Sequence, residues 1–245
     1  MRIDVIPFLT AVHPEDLAGK TVLVIDVLRA TTTILAALGS GSSCVVPVET
    51  VEEALELHTQ GDVLGGERGC ERIAGFDLGN SPLEYTPAAV EGRRVILTTT
   101  NGTRALQKAS QASHVAAASL LNGAACAQAV LDWQRDAVIL CAGTRGAFCL
   151  EDGLCAGQIV SHLLSSGSGS SLSICDFSRA MAACYTRHAG QLAEALTDSD
   201  NGRRLSGLGF RADLEYSARA DTSRLVPVLT GNVLVPLSEH QPMPF

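Results

Sequence analysis

The stretch Val22-Leu-Val-Ile-Asp-Val-Leu-Arg-Ala-Thr-Thr-Thr33 constrains this chain more than any other. Its four apolar residues, Val22 to Ile25, suit a strand buried on both faces, and they end on a carboxylate, Asp26. Arg29 follows three residues later, then three threonines, then the apolar segment Ile34 to Leu38. A buried strand that breaks into a polar turn and then a helix commits the chain to an α/β arrangement. The turn lies at the carboxyl end of the strand, where such sheets bind ligands. A carboxylate there can hold a hard cation. An arginine and hydroxyls at a helix start can hold an anion. The same residues also suit a helix cap and β-branched filler, so this stretch alone does not separate a site from a structural turn.

The pattern recurs. Apolar strand, polar turn with Thr, Asn or Arg, then helix is found at 22–38, 94–109 and 137–164. Further short strands are expected at 3–8, 44–48, 62–64, 115–118, 225–229 and 233–237. Helices are expected at 51–59, 124–133 and, for the most part, 176–196, and 207–216 reads as mixed. Strands alternating with helices predict a mixed, mostly parallel sheet flanked by helices. At 245 residues the chain suits one α/β domain, with a small second lobe left open. If the three patterned strands are parallel, their turns meet at one edge of the sheet. Residues 65–82 carry five glycines among Glu67, Arg68, Glu71, Arg72, Asp77 and Asn80. They read as a long ordered loop, too glycine-rich for a helix and too polar for a core strand. The Ser/Gly-rich stretch 165–171 reads as a solvated connector.

A net charge of −8, no basic run and 4% aromatic residues argue against nucleic-acid or anionic-membrane partners. No apolar run is long enough to span a bilayer, and the N-terminal residues lack a signal-peptide core. The eight cysteines contain no C-x-x-C pair, and reduced thiols in a cytoplasmic protein are the expectation. The sequence leaves homo-oligomerisation open. A P-loop, a complete G-x-G-x-x-G, a G-x-S-x-G elbow, the paired aspartates of dehalogenase-type phosphatases and a cysteine-phosphatase loop are all missing.

What remains is chemistry at the turns. Thr99, Thr100, Asn101, Gly102 and Thr103 form a candidate anion cradle, because Asn-Gly permits a left-handed backbone that can aim successive N–H groups at one point. A threonine N-cap explains them equally well. The third turn offers Arg145 and the Glu151-Asp152 pair, which also suits a helix N-terminus by itself. Together with Asp26 and Glu67 it makes an oxygen-rich set suited to Mg2+, with Arg29, Arg68 and Arg145 as partners for anionic groups.

Asp26-Val-Leu-Arg-Ala-Thr-Thr-Thr33, Gly66-Glu-Arg-Gly69 with Gly75-Phe-Asp-Leu-Gly-Asn-Ser-Pro82, Thr98-Thr-Thr-Asn-Gly-Thr103, and Cys141-Ala-Gly with Glu151-Asp152 occur in this order. With the late Val226-Pro227, they resemble the 2-phosphosulfolactate phosphatase family over nearly the whole chain. The resemblance implies a family-specific α/β fold and a Mg2+-dependent phosphatase. The implied reaction converts (2R)-2-phospho-3-sulfolactate and water to 3-sulfolactate and phosphate, a step toward coenzyme M. The assignment that fits this substrate puts Mg2+ at Asp26, Glu67 and Asp152, and phosphate at Arg29 and the 98–103 turn. Arg68, Asn80 and Arg145 orient the sulfonate or carboxylate. Asp26 is then nucleophile, general base or ligand, and the three roles stay open. The competing readings are a phosphatase of another small phosphorylated hydroxy acid or sugar phosphate, and a non-catalytic anion-binding module.

Overall fold

A computed structural model describes residues 1–166 and 172–237. Most of the expected Ser/Gly connector at 165–171 therefore lies outside the described residues. The strands are β1 (Arg2–Ile6), β2 (Thr21–Ile25), β3 (Cys44–Val48), β4 (Val63–Arg68), β5 (Glu71–Arg72), β6 (Arg94–Thr98), β7 (His114–Ala118), β8 (Ala137–Cys141), β9 (Ser173–Ile174), β10 (Pro227–Thr230) and β11 (Val233–Pro236). They form one sheet in the order β5-β4-β6-β3-β11-β10-β7-β2-β8-β1-β9. The helices are α1 (Ala30–Gly39), α2 (Val51–Leu57), α3 (Pro87–Val90), α4 (Gly102–Ala109), α5 (Gly123–Trp133), α6 (Leu150–Ser165), α7 (Asp176–His188), α8 (Leu192–Asp198), α9 (Asp200–Gly207) and α10 (Arg211–Ser217).

The sheet is two parallel blocks joined by a hairpin. β4, β6 and β3 run together in one block. β7, β2, β8, β1 and β9 run together in the other. Between them β3–β11, β11–β10 and β10–β7 are all antiparallel, so the blocks point in opposite senses along the ladder. The three patterned strands are thus not one parallel run: β2 and β8 are neighbours, and β6 belongs to the other block. The turns meet nonetheless. α1 and α4 each pack against strands of both blocks, so the sheet curls around them and returns the two sets of carboxyl ends to one place.

This placement explains why α1 carries no polar face. Ala30 to Leu38 are all buried, as expected of a helix enclosed by sheet on two sides. The alternation of β2 splits its apolar residues between two cores. Leu23 and Ile25 pack with α5 and α6 residues such as Val130 and Leu154. Val22 and Val24 pack with Ile34 of α1 and Leu106 of α4. The stretch expected as a long loop from residue 65 is in part strand. β4 runs on through Gly65-Gly66 to Arg68 and turns back into β5. Glycine is needed there for close approach: a Cβ on Gly65 would stand 2.1 Å from the Tyr85 hydroxyl, and one on Gly66 2.1 Å from the Thr98 carbonyl oxygen.

Candidate active site

Asp26 is the first residue past β2, and the turn around it is closed by the threonines that follow. The Asp26 N–H donates to Thr31 Oγ1 at 3.0 Å, and that hydroxyl donates back to the Asp26 carbonyl at 2.8 Å. The hydroxyls of Thr32 and Thr33 donate to the carbonyls of Val27 (2.8 Å) and Asn80 (2.9 Å). The turn therefore satisfies its own backbone while its carboxylate is aimed inward. The Asp26 carboxyl is buried beside Glu67, and both effects favour the neutral acid. They push its pKa up to about 7, against weaker opposition from the Ala30 and Gly102 N–H groups. Gly102 begins α4 from the other block. A Cβ there would stand 2.7 Å from Asp26 Oδ2 and 2.5 Å from the Ala30 methyl, so this junction admits only glycine.

Glu67 and Arg68 are consecutive residues of a strand and face opposite sides. Glu67 turns inward. Its Oε1 accepts from the N–H and hydroxyl of Thr100, both at 2.8 Å, and its Oε2 accepts from the Cys70 N–H at 2.7 Å. Arg68 turns away and donates to the carbonyls of Glu67 and Glu49 and to the Thr98 hydroxyl. Thr99 and Thr103 bond each other through N–H and hydroxyl at 3.1 and 3.2 Å. The 98–103 turn thus aims amides at the carboxylates of Glu67 and Asp26 and closes on itself through Thr99 and Thr103.

The acidic pair at the start of α6 divides its work. Asp152 Oδ1 accepts from the Val27 N–H (2.9 Å) and Oδ2 from the Gly143 N–H (3.1 Å), so it ties the turns after β2 and β8 together. Burial, with Asp26 and Glu151 nearby, holds its pKa well above the usual carboxylate range. Glu151 Oε1 accepts from Asn201 Nδ2 at 2.7 Å, while its buried Oε2 has no partner among the described residues.

Arg29 is buried. Its Nη1 donates to Asp213 Oδ2 at 2.7 Å, its Nη2 to the Cys70 carbonyl at 3.2 Å, and its guanidinium lies 4.2 Å from the Phe210 ring centre. Asp213 Oδ1 also accepts from the Ser81 hydroxyl. One cleft receives Asp26, Arg29, Glu67, Asn80, Thr100, Asn101 and Arg145, with Asn201 and Arg204 from α9. Asn80 brings a buried Oδ1 without a partner among the described residues. A second chamber opens from it between Arg145, Phe148, Leu150, Glu151, Asn201 and Arg204.

A family model described as 2-phosphosulpholactate phosphatase matches residues 8–232. The chain belongs to this family. Three relatives, each described as a probable 2-phosphosulfolactate phosphatase, show the extent of the likeness. The Symbiobacterium thermophilum protein is 42% identical over 225 residues, covering 90% of this chain and 96% of its own. The Deinococcus radiodurans protein is 43% identical over 240 residues, covering 96% and 95%. The Thermotoga maritima protein is 40% identical over 216 residues, covering 88% and 92%.

In this member of the 2-phosphosulpholactate phosphatase family, most residues singled out in the sequence reach the cleft, and Arg68, Thr99, Gly102, Thr103 and Asp152 do not line it. Arg68 faces away, and Thr99 and Thr103 stand behind the turn. Asp152, assigned to a cation, supports the backbone beneath the cleft. Sequence reasoning missed Asp213, Asn201 and Arg204. The last two stand three apart on α9 and so share one helix face, a spacing visible in Asp200-Asn-Gly-Arg-Arg204 once a helix is placed there. Asp213 carries no local signal, because its partners Arg29 and Ser81 are remote in sequence.

Proposed function

We propose that the protein hydrolyses (2R)-2-phospho-3-sulfolactate to 3-sulfolactate and inorganic phosphate, with Mg2+, in a step toward coenzyme M. The observation that carries this reading is the family match across residues 8–232 joined to a single cleft lined by Asp26, Glu67 and Arg29. Among the described residues no three His, Cys, Asp or Glu side chains form a ready cation cage. That arrangement still fits Mg2+, which commonly takes one or two carboxylates and completes its shell with water and substrate phosphate. Of the two carboxylates in the inner cleft, Asp26 is less occupied by the protein than Glu67, its Oδ1 accepting the Ala30 N–H at 3.4 Å, and the Glu151 Oε2, without a partner among the described residues, adds an oxygen donor in the same region.

The bound cation would neutralise charge on the phosphoryl oxygens. The chain's own part is to hold substrate and charge in place. Arg29 cannot swing away, because Asp213 and the Cys70 carbonyl fix its fork against Phe210. It therefore presents a pre-oriented cation to the phosphoryl group. Asn80 offers an amide on the same wall. In the net reaction the ester P–O bond breaks, the hydroxide part of water joins phosphorus, and its remaining proton converts the departing alkoxide to the hydroxyl of 3-sulfolactate.

The test is phosphate release from 2-phosphosulfolactate, with Mg2+ and with chelator, beside generic phosphate esters. Rapid, Mg2+-dependent and selective release is expected. Release from other esters alone would discard this substrate, and release from none by folded protein would leave a binding module. Asp26→Asn is expected to lower kcat at least about 100-fold. Wild-type turnover by that variant would remove Asp26 from the chemistry.

A further inference from the structure

Among the described residues, two arginines of the cleft are held by no carboxylate. Arg29 has Asp213, but among the described residues neither Arg145 nor Arg204 makes an ion pair. Arg145 stands in the turn after β8 with a left-handed backbone, φ +55°. Arg204 projects from α9 and donates from Nη2 to the Gly69 carbonyl at 3.1 Å. Both line the inner cleft beside Asp26 and Glu67 and also the outer chamber beside Phe148 and Leu150. They therefore stand where the two spaces join.

We propose that Arg145 and Arg204 form a subsite for a second acidic group, the sulfonate, and select phosphate esters that carry a strong acid one carbon beyond the ester-bearing carbon. This rests on the phosphatase reading above. Charge supports the assignment. The inner cleft already holds the buried carboxylates Asp26 and Glu67, which disfavour a second anion; at the junction Arg145 and Arg204 stand with Glu151 alone, since Asp200 there pairs with Arg203. Reach supports it too. The substrate carboxylate shares its carbon with the ester oxygen and must stay beside the phosphate. The sulfonate is one methylene further out and extends toward the junction, with the apolar Phe148 and Leu150 beyond. Two guanidinium forks supply the several donors that three sulfonate oxygens require.

The experiment compares 2-phosphosulfolactate with 2-phospholactate, which differs only in lacking the sulfonate, on wild type, Arg204→Ala and Arg145→Asn, all with Mg2+. Asparagine is chosen at 145 because it tolerates the left-handed backbone. Wild type is expected to favour the sulfonate substrate. Each variant should lower the ratio of the two kcat/KM values at least about 10-fold, the scale of a charge-assisted hydrogen bond, chiefly through KM for the sulfonate substrate. Equal losses on both substrates in both variants would overturn the subsite and leave the phosphatase reading intact. So would a wild type that does not distinguish the two. Wild type that hydrolyses neither would overturn the phosphatase reading and the subsite with it. Arg145→Asn guards against a trivial result from Arg204, since Arg145 has no part in holding the hairpin at Gly69.

Discussion

Asp26 and Asp152 are acids whose folded environment favours the protonated form. Between about pH 4, where a free aspartate ionises, and about pH 7, where Asp26 does, the folded chain holds protons that the unfolded chain has released. Stability must then fall as pH rises through that window. Asp62 is shifted the other way by its hydrogen bonds to Arg94, so its contribution is lost only below about pH 4 and stays constant across the window. In thermal melts with chelator, the protein should be more stable at pH 5.5 than at pH 8. Asp26→Asn should shrink the difference by about 5 °C, a scale set by a few kcal/mol in a domain of this size. Mg2+ should raise the melting temperature more at pH 8. An identical pH slope in the variant would contradict the burial of this charge. At this scale Asp26 and Glu67 were legible because each ends or interrupts an apolar run. Asp213 was not, because a buried partner chosen across 184 residues leaves no mark on its neighbours.

Among elements, the decisive contact is between the start of α4 and the turn after β2. Gly102→Ala places a methyl against Asp26 Oδ2 and Ala30, neither of which is a flexible chain end. We expect a loss of about 1–3 kcal/mol in stability and at least about 10-fold in kcat, measured by denaturant titration and initial rates. A variant with unchanged rates would show that the two blocks need not approach so closely. The apolar strands β2, β3, β6, β7 and β8 were readable from hydrophobic runs alone. The sequence pattern ends β4 at residue 64 because Gly65 and Gly66 mimic a turn, whereas they serve close packing on Tyr85 and Thr98. The expected helix over 176–196 divides into α7 and α8 near Gly190, and the mixed segment 207–216 ends in α10. These short helices are held by tertiary packing of residues such as Leu196, Leu205 and Leu214 rather than by local propensity.

For the whole molecule, the reversal of strand sense between the two blocks was invisible to sequence reasoning. Alternation and run length report burial, not neighbour order. The blocks are joined by the β10–β11 hairpin, which registers with β7 through Val228 and Ala116 and with β3 through Leu234 and Val45. Leu234 is fully buried. Leu234→Ala should cost about 2–5 kcal/mol. Loss of activity and the change in Trp133 fluorescence should still coincide along a urea titration, although Trp133 lies in the block remote from Glu67. Separate transitions would mean that the blocks fold independently.

That clasp has a consequence in time. Every residue of the cleft precedes position 227, and the strands that bring the two blocks into one sheet, residues 227–236, are made after all of them. A nascent chain halted just before residue 227 carries every carboxylate and arginine of the cleft without the hairpin that joins the two blocks. The reacting groups are complete in the chain before the clasp that joins their two blocks exists.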